Sequence, residues 1–167
     1  ATVALHYVFD APKDKLVFDV SHQCYPHKVL TGRAAGFLGN VDDMNAISGY
    51  SSPAESPEYD NFEVGHTSTS ISLATGLQKA RDVKGTKENI IAVIGDGSLS
   101  GGEAFEGLDE ASELGTGIII VVNDNEMSIA ENHGGIYKNL RALRESNGMC
   151  EHNRFKAGGF DYKYLAQ

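Results

Sequence analysis

The chain has 167 residues, enough for one domain with a substantial core, and we expect a single α/β domain over residues 1–167 that belongs to a longer polypeptide. Its 14 Lys and Arg residues against 23 Asp and Glu residues give a net charge of −9 without a basic run, which argues against nucleic acid as a partner. The two cysteines, Cys24 and Cys150, are typical of reduced thiols in a cytoplasmic protein, and no signal peptide or apolar run of ~20 residues indicates a membrane.

The first 65 residues predict little regular structure. A short apolar helix is expected over residues 2–9, and the sequence KLVFDV at 15–20 predicts a strand. The stretch from Ser21 to Gly65 is rich in Gly, Pro, Ser and Asn and lacks periodicity, so we expect most of it to be loop. A loop of this length in a compact domain is typical of a ligand-binding segment.

The next segment, STSISLATGLQKARD, predicts a helix with one buried stripe. This stripe is expected to consist of Leu73, Leu77 and Ala80, flanked by Ile71 and Ala74. The helix should end with basic residues just before Gly85, because basic side chains and a following glycine favour the end of a helix.

Two apolar runs then predict buried strands, NIIAVI at 89–94 and GIIIVV at 117–122. Neither run alternates with polar residues, which favours positions in the middle of a parallel sheet, covered on both faces. Between them, Ser100 and Glu103 form the pattern of a capping box, and Gly115 supplies the helix exit. The fold class predicted is therefore α/β, a parallel sheet flanked by helices.

Polar residues follow both of these strands. Asp96 and Asn125 lie 29 positions apart in sequence, but neighbouring parallel strands end at the same edge of a sheet, where open α/β sheets bind ligands. A carboxylate, an amide oxygen and the main-chain carbonyl of Met127 suit Mg²⁺ that takes its other ligands from phosphates. Gly95 and Gly97 permit close backbone approach to a diphosphate. The alternative is that GDG is only a turn.

Three longer blocks carry a resemblance to a known family. A GDG motif followed after 25 to 30 residues by an N-x-N pair resembles the thiamine diphosphate motif. The blocks VVNDNEMSI, SHQCYPHKVLTGR and GHTSTSISLATG resemble those of the 1-deoxy-D-xylulose-5-phosphate synthase family, and the resemblance covers nearly the whole chain. Transketolases share the general motif but not the HQ-x-YPHK-x-LTGR block. The resemblance implies a thiamine diphosphate-binding fold of the diphosphate-domain type, with thiamine diphosphate and Mg²⁺ as cofactors.

The resemblance also implies roles for individual residues. Mg²⁺ would be bound by Asp96, the side chain of Asn125 and the main-chain carbonyl of Met127. The residues implied to contact thiamine diphosphate are Gly97, Ser98, Gly65, His66, Thr67 and His22. Of these, His22 and His66 would be catalytic, as groups that move a proton among substrate oxygens.

Several of these side chains have a simpler interpretation as well. His22 is either a cofactor contact or a structural histidine that binds a loop carbonyl, and His66 either contacts the cofactor or orients the turn before a helix. A second group, His27, Lys28 and Arg33, is either at the surface or bound to a substrate phosphate. Asp124 and Glu126 flank the metal ligands and are expected to point away, since two more carboxylates would add too much negative charge beside a diphosphate.

The implied activity is the condensation of pyruvate with glyceraldehyde 3-phosphate to 1-deoxy-D-xylulose 5-phosphate with release of CO₂, a step towards isoprenoids and thiamine. Compared with the family, the resemblance leads us to expect three differences in these 167 residues: an N-terminal segment with another histidine is not included, the segment around residues 147–155 is shortened, and a second, pyrimidine-binding domain is not included. We therefore expect that domain in cis or in trans, and a homodimer. Two rival functions stay open, a transketolase-like ketol transferase subunit and a non-catalytic phosphate-ligand module.

Overall fold

A computed structural model describes residues 1–20, 22–38, 47–115 and 117–166, without the side chain of His22. Three parallel strands form one sheet in the order β1, β2, β3, with bounds Lys15–Phe18, Ile90–Gly95 and Ile119–Asn123. The predicted α/β class is confirmed. β2 is the middle strand, as its apolar run predicted, whereas β3 lies at the edge of the described sheet and is only half-buried, so its central placement was wrong.

Eight helices accompany the sheet within the described ranges. They are α1 Thr2–Val8, α2 Tyr25–Lys28, α3 Ala35–Leu38, α4 Ser70–Lys84, α5 Asp96–Leu99, α6 Gly102–Leu114, α7 Gly135–Glu145 and α8 Arg154–Ala157. The chain from β2 through α6 to β3 is the predicted parallel crossover, and Gly115 ends α6 in the left-handed conformation that favours glycine. None of the helices in the described ranges is long and apolar enough to cross a membrane.

The two faces of the sheet are covered by different elements. On one face Ile90, Ala92 and Ile94 of β2 pack in a cluster with side chains from α4, α6 and α7. On the other face Ile91 and Val93 pack with residues of β1 and with Leu5 of α1. Because successive residues of a strand point to opposite faces, a strand covered on both sides needs an unbroken apolar run, as β2 has.

The buried stripe of α4 differs from the predicted one. Its buried positions are Ser70, Ile71, Ala74, Thr75 and Gln78. Leu73 and Leu77 lie only partly buried beside this stripe, and Ala80 is exposed. The small and polar residues of the helix face the core because α4 packs against both the sheet and α6, so apolar character alone did not identify the inner face.

One local prediction is confirmed in part and another was wrong. Residues 47–65 of the predicted loop contain no helix or strand, whereas residues 22–38 are mostly helical turns, in the segments His22–Cys24, α2, Val29–Arg33 and α3; residues 39–46 lie outside the described residues. Ser100 is not the cap of a capping box: Gly101 precedes α6 and no side chain caps it. The chain already turns into α5 directly after β2, and the Ser100 hydroxyl donates instead to the carbonyl of Gly97 at 3.0 Å.

Candidate cofactor and metal site

The ends of the three strands place one acidic residue each at the same edge of the sheet. Asp19 follows β1, Asp96 follows β2 and Asp124 follows β3. The register pairs Gly95 with Asn123, so Asp96 and Asp124 occupy equivalent positions on neighbouring strands. In open α/β sheets this carboxyl edge is the ligand-binding edge. The predicted clustering of polar groups at the end of β2 and β3 therefore has a structural basis.

Asp96 is buried and lies among polar groups. Only 2% of the residue is exposed, and its Oδ2 accepts a hydrogen bond from Asn132 Nδ2 at 2.6 Å. Asp124 occupies the equivalent position on the neighbouring strand, so its carboxyl group lies near that of Asp96. Burial raises the pKa of Asp96, and the neighbouring charge of Asp124 raises it further. Two acids that face each other in this way favour a shared proton or a cation.

The position of Asp124 corrects the expectation that it points away from the site. It faces Asp96 because the strand register brings the two residues side by side. Its Oδ2 also forms an ion pair with Arg144 of α7. Glu126 has a side chain that is 60% exposed and pairs with the same guanidinium at 2.5 Å. This exposure agrees with the expectation that Glu126 points away from the site.

The predicted metal ligands after β3 lie in an exposed loop. The Oδ1 atom of Asn125 accepts a hydrogen bond from the backbone N–H of Met127 at 3.1 Å, and Met127 forms an antiparallel bridge with Glu131. The loop approaches the GDG segment closely, since a Cβ atom added to Gly97 would lie 2.7 Å from the Cβ of Ser128. That Asp96, Asn125 and the Met127 carbonyl share one ion stays a prediction.

A third loop, the segment 65–68, meets the same edge. The hydroxyl of Ser68 donates to the carbonyl of Ser98 at 2.6 Å, and a Cβ added to Gly101 would lie 2.0 Å from that hydroxyl oxygen. The exposed triplet Gly65, His66 and Thr67 directly precedes this contact. The predicted cofactor contacts of this triplet and of Gly97 and Ser98 thus lie on adjoining segments. Contact with the cofactor itself stays a prediction for all five.

The ring of His66 has a defined hydrogen bond. Its Nδ1 atom lies 2.8 Å from the carbonyl oxygen of Thr67. A carbonyl oxygen only accepts, so Nδ1 must carry the proton, and in the neutral ring Nε2 is then the acceptor. The side chain is exposed at the edge of the site. This arrangement combines the two interpretations of His66, because the bond that orients the turn also leaves one nitrogen able to accept a proton.

Asp19 was missed by the sequence analysis and has a supporting role at this edge. It is fully buried, and its two carboxylate oxygens accept the backbone N–H groups of Ser68 and Ser70, each at 2.9 Å. These bonds fix the entry into α4, directly after His66. A carboxylate at a helix start is favoured by the helix dipole. The available signal was an Asp immediately after an apolar strand, the same arrangement that drew attention to Asp96.

Unfavourable backbone conformations concentrate in the loops around this edge. Four described residues other than glycine have positive φ, and three of them lie here: Val20 at 54°, Ser68 at 74° and Glu126 at 66°. Each follows the end of a strand or precedes α4. Positive φ is disfavoured for such side chains and persists only where the surroundings hold the backbone, a feature that recurs at binding sites.

The HQ-x-YPHK-x-LTGR block forms a buried ion network rather than a surface. His27 and Lys28 are 1% and 0% exposed, which rules out the surface interpretation for both. Arg33 makes two bonds to Asp60, at 2.6 and 3.0 Å, and His27 Nε2 lies 3.1 Å from the same carboxylate. Lys28 pairs with Glu55 at 2.6 Å. These cations bind acids of the chain itself, in the segment that leads to Gly65.

The acid at the centre of this network is strongly stabilised as a carboxylate. Burial opposes ionisation of Asp60, but hydrogen bonds from His27, Arg33 and the backbone N–H of Ser52 hold its pKa well below the ordinary value. His22 begins the turn that precedes this network, and its side chain lies outside the described residues. Its predicted role at the cofactor stays a prediction.

The donors at the edge fit a Mg²⁺-bridged diphosphate. The described residues contain no cluster of three His, Cys, Asp or Glu side chains that could hold a metal ion. An ion at Asp96 would thus depend on amide and carbonyl oxygens and on oxygens of a ligand, which is how Mg²⁺ is commonly held beside phosphates. The close approaches at Gly97 and Gly101 exclude side chains and leave backbone to line the space.

Comparison with known proteins identifies the family. A family model described as 1-deoxy-D-xylulose-5-phosphate synthase matches residues 1–159. Relatives of that name include one from Desulforudis audaxviator, 54% identical over 86% of the chain and 22% of the relative, and one from Clostridium tetani, 48% identical over 93% and 24%. A third, from Porphyromonas gingivalis, is 54% identical over 99% of the chain and 28% of the relative.

The chain spans about a quarter of the length of the curated relatives it matches. The alignment with the Porphyromonas protein has 182 positions, 15 more than the 167 residues of the chain, so this relative has residues that the chain lacks between the aligned ends. The predicted shortening near residues 147–155 stays a prediction. With the family model matching residues 1–159, the chain belongs to the 1-deoxy-D-xylulose-5-phosphate synthase family.

Proposed function

We propose that this chain forms the diphosphate- and magnesium-binding part of an enzyme that condenses pyruvate with glyceraldehyde 3-phosphate and releases CO₂. Membership of the family supports this activity, since the relatives carry the name 1-deoxy-D-xylulose-5-phosphate synthase. The observation that carries the proposal is the meeting of three segments, 65–68, 96–101 and 124–128, around the buried carboxyl group of Asp96. Such a meeting of loops at the carboxyl edge is where α/β proteins bind nucleotide-like ligands.

In this proposal Asp96, Asn125 and the carbonyl of Met127 hold Mg²⁺, while Gly97 and Ser98 line the diphosphate. Asn132 donates a hydrogen bond to Oδ2 of Asp96 and so helps to orient the carboxylate that would bind the ion. The amide oxygen of Asn125 has two lone pairs, so it can bind the ion with one while it accepts the N–H of Met127 with the other.

The chain's own residues orient the reactants and move protons. Thiamine diphosphate, when bound, would supply the carbon nucleophile for the keto group of pyruvate and the electron sink for the release of CO₂. His66 offers Nε2 as a proton acceptor near substrate oxygens, because Nδ1 is committed to the carbonyl of Thr67. His22 is the second proposed proton carrier. Gly65 and Thr67 complete the contacts of the segment with the cofactor.

The activity depends on parts beyond these residues. We propose that a pyrimidine-binding domain, in cis or in trans, completes the cofactor site, and that the functional unit is a homodimer in the cytoplasm. Cofactor sites between domains are a common arrangement. Pyruvate and glyceraldehyde 3-phosphate are the proposed substrates, and the proposed product feeds the synthesis of isoprenoids and thiamine.

Calorimetric titration of the gene product that contains this chain tests the proposal. Thiamine diphosphate should bind with Mg²⁺ present and bind far more weakly after Mg²⁺ is removed with a chelator. Addition of pyruvate and glyceraldehyde 3-phosphate should then release CO₂ in proportion to the sugar phosphate consumed. Sugar phosphate turnover without CO₂ would instead identify a ketol transferase. A protein without Mg²⁺-dependent affinity for thiamine diphosphate would be neither enzyme.

A further inference from the structure

One arginine holds both acids that flank Asn125. Arg144 projects from α7, and its guanidinium pairs with Asp124 through one terminal nitrogen and with Glu126 through the other. Its side chain is 24% exposed and that of Asp124 is 14% exposed. Among the described residues, Arg144 is the one cation in an ion pair with either acid. A planar guanidinium is suited to bind two carboxylates in fixed directions.

The segment that Arg144 holds has an unfavourable backbone. Glu126 has a φ of 66°, and its N–H is bound by the Asp124 side chain at 3.1 Å. The next N–H, of Met127, is bound by the Asn125 side chain at the same distance. The side chains of Asp124 and Asn125 thus support this conformation by hydrogen bonds that an asparagine at position 124 could also accept.

The charge of Asp124 matters for what the site can bind. Asp124 lies beside Asp96 because the two residues follow the paired positions Gly95 and Asn123, and together they would offer two carboxylates to a cation. Two carboxylates next to an anionic diphosphate repel it, and a second carboxylate ligand would occupy a coordination position that the diphosphate needs. Arg144 neutralises Asp124 and engages its Oδ2 atom. The edge is then left with the charge of Asp96 alone beside the amide of Asn125.

From this geometry, and resting on the proposed function, we propose that Arg144 is a positioning residue that holds the Asp124 carboxylate out of the metal's coordination and leaves Asn125 as the ligand. The site thereby has a higher affinity for Mg²⁺ bound to a diphosphate than for Mg²⁺ alone. Removal of the arginine frees a carboxylate at the edge. The affinity for Mg²⁺ alone should then rise while the affinity for thiamine diphosphate falls.

The test compares four variants of the gene product that contains this chain. Arg144→Met removes the charge and keeps an unbranched side chain, and Arg144→Met combined with Asp124→Asn also removes the freed carboxylate. The matched control is Arg141→Met, one turn earlier on α7 and exposed. Asp124→Asn alone tests the same idea with the arginine present. Titrations with Mg²⁺ alone, and with thiamine diphosphate at saturating Mg²⁺, are measured by calorimetry after the melting temperature of each variant is recorded.

Arg144→Met should bind thiamine diphosphate about tenfold more weakly, the loss typical of residues that orient metal ligands. The same variant should bind Mg²⁺ alone more tightly, and the double variant should return both affinities towards the wild type. Arg141→Met should change neither, and Asp124→Asn should keep Mg²⁺-dependent binding. A merely structural arginine would not move the two affinities in opposite directions.

The inference is overturned if Arg144→Met changes neither affinity, or weakens both without recovery in the double variant. It is also overturned if Asp124→Asn abolishes Mg²⁺ binding, because Asp124 would then be a ligand itself. The measurement on Asp124→Asn can be made even if Arg144→Met does not fold. Wild-type protein without Mg²⁺-dependent binding of thiamine diphosphate overturns the proposed function instead, so the two failures are distinguishable.

Discussion

Two buried carboxylates in this protein have opposite surroundings. Asp60 is bound by Arg33, His27 and a backbone N–H, and its pKa lies below the ordinary value of 3.8. Asp96 receives a hydrogen bond from Asn132 but faces another acid, Asp124, and its pKa lies above 3.8. The first carboxylate has its charge balanced within the chain. The second lacks such balance, which is the condition expected of a group that binds a cation from outside.

The difference between Asp60 and Asp96 distinguishes charged groups that stabilise the fold from charged groups that bind a ligand. The polar side chains of the HQ-x-YPHK-x-LTGR block are conspicuous in the sequence, yet His27, Lys28 and Arg33 bind Asp60 and Glu55 within the fold. Loss of a carboxylate from the balanced network should therefore reduce stability. Loss of the unbalanced carboxylate should reduce ligand binding and leave stability intact.

The largest effect is expected for Asp60→Asn. The substitution leaves the guanidinium of Arg33, whose side chain is 12% exposed, with only the longer ion pair to Glu55 at 3.4 Å among the described residues. Removal of one partner from a buried ion pair costs about 3–5 kcal/mol of the free energy of unfolding. Urea denaturation measures the loss. Asp161→Asn is the control, because the Asp161 side chain is 84% exposed and its pairing with Lys163 is a surface contact. Equal stability of the two variants would contradict a structural role for Asp60.

The second effect is on binding. Asp96→Asn should weaken Mg²⁺-dependent binding of thiamine diphosphate by about 100-fold, since it removes the charged ligand of the ion. The free energy of unfolding should stay the same or rise, because repulsion between Asp96 and Asp124 is removed. Calorimetry and urea denaturation on the same preparation measure both quantities. A large loss of stability together with unchanged binding would mean that Asp96 is a structural acid and does not bind the ion.

A smaller effect is expected for Arg33→Lys. Lysine keeps the positive charge but cannot reproduce the two bonds that Arg33 makes to the oxygens of Asp60. The free energy of unfolding should fall by about 2 kcal/mol, the size of a lost hydrogen bond to a charged group. Denaturation curves at neutral pH measure this change. Full stability of the lysine variant would mean that charge alone, without geometry, holds the network.

The smallest effect is a dependence on pH. The pKa of Asp60 is lowered in the folded protein, so its contribution to stability is complete above the ordinary pKa of 3.8 and is lost as the pH falls towards the lowered value. The stability difference between wild type and Asp60→Asn should shrink by about 1 kcal/mol from about pH 6 to about pH 3. Parallel urea titrations across this range measure it. A difference that grows on acidification would have the wrong sign.

The sequence predicted the framework of the site because strands and their ends leave local signals. The apolar run of β2 and the following Asp96 are adjacent in the chain, and parallel pairing alone places Asp96 beside the end of β3. The loop motifs around Gly65 and Asn125 resemble those of the 1-deoxy-D-xylulose-5-phosphate synthase family, and the match to the family model confirms that the chain belongs to it. Asp19 had the same signal as Asp96 and was overlooked.

The remaining features depend on contacts between distant residues. The carboxylate of Asp60 lies 27 positions from Arg33 in sequence, and no periodic pattern connects them. The orientation of Asp124 depends on the strand register and on Arg144, 20 positions further along. The inner face of α4 could not be read from hydrophobicity, because Gln78 and Thr75 are buried while Ala80 is exposed. Packing of α4 against two neighbours decides that face.

The most direct test of the metal site is an anomalous difference map from crystals of the gene product grown with thiamine diphosphate and Mn²⁺ in place of Mg²⁺. We predict one peak that Asp96 and the side chain of Asn125 share, with Asp124 still paired with Arg144. A peak bound by Asp96 and Asp124, or an ion away from the carboxyl edge of the sheet, would contradict the account.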